Sequence, residues 1–391
     1  MCIFQDKKGH MISYILMIAV GVIGSNSLLL SPILADVAVD FSTSPVEVAW
    51  AITTYNASTA LSALLFARFI DEWGIYRALL IAFLFVATGA AVSGIAWGLP
   101  VLLVGQFLAG LGAGVSLPAI YALAPIIAPT GQETKIVGRV LTGWSLALVA
   151  GVPIASFLTE IFGWRTSYYL LFGLSLFILA TIAATSRSFS MPVTPKDSTR
   201  QAGWSIFSPF SISHAKSLLF MNFLYMTAFY GSYGYVGTYL RAAFSSTTTE
   251  AGYSVLAYGV GFGLASVADP MVDKVGVRRA SPYIFVLLLI VYLSLAASND
   301  SIITVYTICL VWGFFNHLGL SAIITMIGEL KTSIKGQLMG MNSVFTYVGG
   351  SVGTIVFGIL YEKLSFSYVA FAAALAVGLL TLIFLSLGRN P

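Results

Sequence analysis

The chain has 391 residues, 58% hydrophobic and 9% charged, with a mean hydropathy of +0.92. A water-soluble domain carries about 25% charged residues, so this composition excludes a soluble globular protein and demands a bilayer. The net charge of +4 comes from 19 basic and 15 acidic residues gathered between apolar runs, which points to membrane orientation and away from nucleic acid.

A spanning helix takes about 20 mostly apolar residues. The stretch Phe4-Gln5-Asp6-Lys7-Lys8-Gly9-His10 leads into an apolar run with no small-residue cleavage site, so that run is expected to be a retained span. Cys2, next to the initial Met, is not expected to carry lipid. The first six spans are expected at Ser13–Leu34, Glu47–Phe69, Tyr76–Ala96, Pro100–Ile127, Ile136–Leu158 and Thr166–Thr185. A polar stretch from Arg187 to His214, rich in Ser, Thr, Pro, Lys and Arg, reads as a linker. A short amphipathic piece at Trp204–Phe210 is expected to lie at the interface. Six more spans follow at Ser217–Leu240, Glu250–Ala268, Ser281–Ala297, Ile302–Ile327, Gly336–Leu360 and Ser367–Leu387. The expected fold is an all-α integral membrane protein of twelve transmembrane helices, with six-helix bundles at 1–186 and 215–391 and a cytoplasmic linker at 187–214.

Lys and Arg placement gives the orientation. With the N-terminus in the cytoplasm, only Arg165, Arg241 and Lys363 of the 19 basic residues fall outside, a strong positive-inside bias. Both termini are expected on the cytoplasmic side of the cell membrane.

The two halves echo one another. Asp71-Glu72-Trp73-Gly74-Ile75-Tyr76-Arg77 and Asp273-Lys274-Val275-Gly276-Val277-Arg278-Arg279 both read D-x-x-G-x-x-R. The glycine takes the positive φ of a tight helix reversal, the Asp accepts from free N–H groups at a helix start, and the Arg pairs with it or with lipid phosphate. Gly138 opens the fifth span and Gly336 the eleventh, and Gly151-Val152-Pro153 and Gly349-Gly350-Ser351 follow at matching depth. Small residues there let helix backbones approach closely. A parallel repeat of six helices is a transporter architecture with a midplane site between halves.

On these residues the chain resembles the major facilitator superfamily, and within it the twelve-helix drug:proton antiporter branch. Asp71, Gly74 and Arg77 match the loop motif after the second helix, and Asp273, Gly276 and Arg279 its C-terminal copy. Gln106-Phe107-Leu108-Ala109-Gly110-Leu111-Gly112-Ala113 looks like the fourth-helix motif, while Gly143 through Gly151-Val152-Pro153, then Gly163-Trp164-Arg165, looks like the antiporter motif of the fifth helix. The fifth and sixth spans look most like the sugar, arabinose and purine efflux group. The resemblance implies alternating access, two bundles rocking about a central cavity, and Asp71 facing the start of the eleventh helix near Ser333–Gly336 as a cytoplasmic clasp. Two positions depart from the pattern. Gln106 stands where the fourth-helix motif usually begins with Arg, and Ser25-Asn26-Ser27 is neutral where efflux relatives often carry a carboxylate.

Ionisable groups inside a bilayer are costly and functional by default. Asp36, Glu47, Glu160, Asp269, Glu329 and Glu362 all fall at or near span ends, which leaves His317 as the one deep titratable residue. Imidazole titrates in the physiological range, so His317 is the first proton-coupling candidate and Asp36, at the outer mouth, the second. The alternative for His317 is a neutral side chain bonded to a neighbouring helix. Uncharged groups at mid-depth mark the substrate wall: Asn26, Tyr55, Asn56, Gln106, Asn222, Tyr225, Tyr233, Asn316, Asn342 and Tyr347. Rings with few convergent polar groups suit a neutral or amphipathic organic molecule. For each residue singly, interhelical packing is the competing role.

No G-x-x-x-x-G-K-[ST] loop indicates an ATP-driven pump, and neither three histidines nor two cysteines form a metal or disulfide cluster, so no cofactor is expected. Gly110-Leu111-Gly112-Ala113-Gly114 lies within a span and reads as a packing face. The favoured reading is a monomeric secondary transporter exporting a small organic solute by proton exchange. A proton-independent facilitator, an uptake symporter, a non-transporting receptor or scaffold, and a membrane enzyme remain as alternatives. The last would need deep catalytic residues, for which the sequence offers His317 alone, without a charged partner.

Overall fold

The computed structural model describes residues 2–129, 132–186, 208–298, 301–330, 332 and 334–387, the side chains of 2–9, 67–73, 134, 186 and 335 excepted. Every regular element among them is helical. The N-terminal half comprises α1 (Cys2–Leu28), α2 (Leu30–Phe41), α3 (Pro45–Val48), α4 (Trp50–Trp73), α5 (Ile75–Gly94), α6 (Leu99–Ile126), α7 (Glu133–Leu146), α8 (Val152–Phe162) and α9 (Arg165–Ser186). The C-terminal half comprises α10 (Ala215–Phe244), α11 (Thr248–Ala265), α12 (Asp269–Val275), α13 (Val277–Ala297), α14 (Ile302–Glu329), α15 (Lys335–Lys363) and α16 (Phe366–Ser386). Among the described residues nine helices are long and apolar enough to cross a membrane, or ten with α11 and α12 taken as one bent span. The helix α10 is long enough but spends its length on Asn222, five tyrosines from Tyr225 to Tyr239, and glycines, nearly all buried. A helix shielded by its neighbours on every side has no need of an apolar surface.

Proline explains two breaks within spans. Pro32 supplies no N–H to the carbonyl of Leu28, and the first span breaks at Leu29 before continuing to Phe41, beyond the expected Leu34. Ahead of Pro153 the fifth span widens into a π-helical turn, Ala147–Gly151, between α7 and α8. The eighth span stops at Ala265, short of the expected Ala268. A 47° bend follows, and Asp269-Pro270 opens the short α12. Gly74 and Gly276 both take positive φ, +81° and +91°, where α4 turns into α5 and α12 into α13. Of the amphipathic piece expected at Trp204–Phe210, residues 204–207 lie outside the described residues. Ser208–Ser211 forms a single 3-10 turn, with Phe210 against Phe345 at 6.1 Å.

Within each half the helices are drawn together by missing side chains. On α6, Gly110 and Gly114 face the backbone of α4, while Gly112 faces that of α5. In the other half Gly261 of α11 abuts the Leu310 carbonyl of α14, and Gly313 of α14 abuts the Tyr258 carbonyl in return. This reciprocal contact stands in for the hydrophobic driving force that lipid does not supply. Replacing Gly261 with Leu drives a side chain into the Leu310 carbonyl. It is expected to abolish monodisperse protein on gel filtration in detergent, whereas Gly263→Leu, with nothing within 4 Å of its Cβ position, leaves the elution profile intact.

Candidate functional site

The main contacts between the two halves are α2 with α10, the π turn and α8 with α11, and α4 with α15. Along the first, Tyr233 donates its hydroxyl to the Leu28 carbonyl at 3.4 Å, Ser31 donates to the Tyr233 carbonyl, and a methyl on Gly237 would lie 2.7 Å from Pro32 Cα. At the end of this pair Arg241 forms an ion pair with Asp36, and Thr248 accepts from Arg241 at 2.6 Å while donating to both Asp36 oxygens at 3.0 and 3.1 Å. The Asp36 and Arg241 side chains are 24% and 25% exposed, so water screens this pair less than one at a free surface. Nearby, the backbone N–H of Thr249 donates to Glu160 at 2.8 Å.

The seam is tight at this end and loosens toward the other. Gly252, Gly259 and Gly263 share one face of α11 by helical spacing. A Cβ on the first two would meet Ser156 and Leu148 at 2.7 Å, and on the third nothing within 4 Å. Gly350 and Gly336 share a face of α15 in the same way: the first is filled by Asn56 and Tyr230, the second meets nothing. Among the described residues the halves are therefore in contact at the Asp36 end, and neither Gly263 nor Gly336 takes part in such a contact.

Where the closed seam ends, several expected wall residues converge. Asn26 donates to Gln106 at 3.3 Å, and Gln106 donates to Ser93 at 3.1 Å, a neutral chain where the fourth-helix motif would place a cation. Tyr55 donates to the Ile23 carbonyl at 3.3 Å, Ser27 and Tyr230 share a hydrogen bond of 3.3 Å, and Tyr347 is buried on α15, the helix packed against α4. Asn56 is fully buried, and neither of its amide atoms has a partner. An unmet buried polar group costs roughly 1–3 kcal/mol.

Other expected residues serve the C-terminal half internally. Asn222 donates to the side chains of Asn342, at 2.9 Å, and Thr346, at 2.8 Å, bracing α10 on α15. Tyr225 donates to the Asn316 carbonyl, and Asn316 donates to Tyr258 at 2.6 Å. Tyr233 adds its ring to a cluster with Phe229, Tyr258 and Trp312, in which Phe229 stacks on Tyr258 at 5.6 Å. In the fifth span Gly143 packs on Met17 and Val20, and Gly151 on Ser25, so both seat the π turn against α1, while Pro153 follows that turn.

One reading is corrected. His317 is not without a charged partner: its Nε2 lies 3.1 Å from Asp269 Oδ2, with the Phe262 ring at 4.7 Å on another side. The bend after Ala265 carries Asp269 back to α14, and Asp-Pro, a helix-opening pair, is the sequence signal for it. Of the duplicated loop, the Asp71 side chain and Ser333 lie outside the described residues, while Arg77, Asp273 and Arg279 are exposed. It is the neighbouring Arg278 that reaches Glu329, at 3.8 Å.

The model of the Major Facilitator Superfamily matches residues 16–330 and again 218–391. The chain belongs to this superfamily. Two Bacillus subtilis (strain 168) proteins resemble this Major Facilitator Superfamily member along most of their length. The uncharacterized MFS-type transporter YwfA is 24% identical over 352 residues, 90% of this chain and 85% of its own. The uncharacterized MFS-type transporter YceJ is 26% identical over 353 residues, 88% and 87% respectively. The superfamily member described here is accordingly a multi-pass membrane transporter.

Substituting Asp36 by Asn leaves Arg241 without its counter-charge at the closed end of the seam. With Cys2 and Cys309 replaced by Ser, a cysteine at Ala38, 3% exposed, is expected to react severalfold faster with a membrane-impermeant maleimide in the Asp36→Asn background. Equal rates would mean that the ion pair does not hold the seam.

Proposed function

We propose that this transporter exports a small neutral or amphipathic organic solute across the cytoplasmic membrane in exchange for protons, working as a monomer with both termini in the cytoplasm. The observation that carries the reading is the carboxylate in the latch: Asp36 joins the two halves at the closed end through Arg241 and Thr248. A proton on Asp36 removes the charge that holds Arg241 across the seam. Acid on that side then favours parting of α2 from α10, and release of the proton toward the cytoplasm after the solute has left restores the charge that closes the seam. Solute enters from the end bearing Gly336, meets the neutral wall of Asn26, Asn56, Gln106, Tyr55 and Tyr347, and leaves when the latch opens.

His317 with Asp269 is the second titratable pair, and its partners Asp269 and Phe262 both belong to the C-terminal half. It therefore acts on the bend between α11 and α12 and not directly on the seam. The Asp71 loop is assigned to the opposite, cytoplasmic end as the reciprocal clasp.

In proteoliposomes, an imposed pH gradient is expected to change the rate of solute movement, and Asp36→Asn to remove that dependence while residual movement persists. Movement indifferent to the gradient in the wild type would leave facilitated diffusion and end the antiport reading. A pH dependence lost in His317→Gln but kept in Asp36→Asn would shift coupling to the α11–α12 bend. Asp71→Asn is expected to lower transport with membrane expression intact, and full activity in that variant would remove the clasp assignment.

A further inference from the structure

Among the described residues Asn56 is the one buried side-chain amide with neither atom hydrogen-bonded. The other deep amides each spend at least one atom inside the protein: Asn26 on Gln106, Gln106 on Ser93, Asn222 on Asn342 and Asn316 on Tyr258. Asn56 sits on α4 opposite Gly350 of α15, on the contact between halves that must part during transport. A Cβ on Gly350 would lie 2.9 Å from Asn56 Nδ2 and 2.9 Å from Tyr230 Cδ2, so the amide and the ring edge border the same side-chain-free position. Tyr230 is held in place by its hydroxyl contact to Ser27 and by Phe229, whose ring centroid is 5.0 Å away.

We infer that Asn56 sets the specificity of this site, and that the solute presents an amide-type edge, one hydrogen-bond donor beside one acceptor, on a flat ring. This rests on the transport reading above. A carboxamide offers N–H and C=O side by side, and the group that satisfies both at once offers the same pair reversed: a primary amide, a urea, a lactam or an aminopyridine. The bidentate pairing of Asn with the donor–acceptor edge of adenine follows the same geometry. A carboxylate would satisfy the amide N–H but set its charge against Oδ1. An ammonium would satisfy Oδ1 but face the N–H. As α4 and α15 separate, the Asn56 amide meets the edge of the solute while Tyr230 and Phe229 offer their rings to its plane. When the seam closes without solute, both amide atoms are left unpaired, so a solute of matching edge favours the parted state in which it can reach them.

The test uses the full-length purified protein in detergent, its thermal unfolding followed with added benzamide, N,N-dimethylbenzamide, benzoate or benzamidine. Benzamide is expected to stabilise the wild type at concentrations about tenfold or more below the other three. In Asn56→Asp the site offers two acceptors and a negative charge, and the order is expected to reverse, with benzamidine ahead of benzamide. Asn56→Leu, a near-isosteric apolar change that removes the unpaired amide, is expected to unfold at a higher temperature without ligand and to lose the preference for benzamide over its dimethyl form. It keeps the test decisive if the Asp variant does not fold. Equal effects of benzamide and N,N-dimethylbenzamide on the wild type, or an unchanged order in either folded variant, would overturn the assignment. If none of the four stabilises the protein while some other solute still moves in proteoliposomes, the substrate class is wrong and the transport reading stands. If no solute moves under any gradient, the transport reading itself falls.

Discussion

Inside a bilayer no water answers a backbone carbonyl that its own helix leaves unsatisfied. Pro32 withholds an N–H from the Leu28 carbonyl, and the hydroxyl that reaches that carbonyl belongs to Tyr233, in the other half of the chain. The first span is thus completed by the seventh. Ser31 returns the contact by donating to the Tyr233 backbone, and Gly237 brings α10 close enough for both. The closed seam is built on main-chain groups first, and its charged latch lies about one to two turns farther along the same pair of helices. Parting the halves must break both kinds of contact together.

Charge is kept at the margins of this seam and away from its middle. Asp36 with Arg241, Glu160 with the N–H of Thr249, and Asp40 with Arg165 all lie toward one end. At mid-depth the N-terminal wall is amide and hydroxyl, and the C-terminal half offers rings. Burying an isolated charge costs far more than burying an amide, so a neutral wall lets the two faces close on each other between transport events. The Asn26–Gln106–Ser93 chain keeps polarity in the fourth helix without the cost of a fixed cation.

Much of this was legible in the sequence because it is local. Apolar runs gave the spans, and the reversals at Gly74 and Gly276 followed from glycine between charged residues. The glycines of α6 could be read as a packing face because their spacing is helical. What escaped reading is pairing across long separations and the bending of helices. Asp36 and Arg241 looked like two unrelated end charges, since nothing in either neighbourhood records the other. Asp269 was placed at a span end, which is correct for a straight helix. Only the 47° turn brings it to His317. The first span was drawn to Leu34 from its apolar run, whereas the helix breaks at Leu29, resumes at Leu30 and runs on to Phe41.

The wide turn at Ala147–Gly151 acts as a phase shifter. Gly143 and Gly151 are separated by a number of residues that an unbroken α-helix would leave well out of line, yet both point at α1. One residue absorbed by the π turn winds the remainder back by about 100°, which restores Gly151 to the stripe begun by Gly143. In the sister position Gly349 and Gly353 reach α10 from one regular helix, four residues apart and already aligned. The two halves arrive at the same small-residue contact by different means, one through spacing and the other through a stored surplus residue. Only the N-terminal half can lose its contact through a change in winding alone, without any atom of the contact being altered.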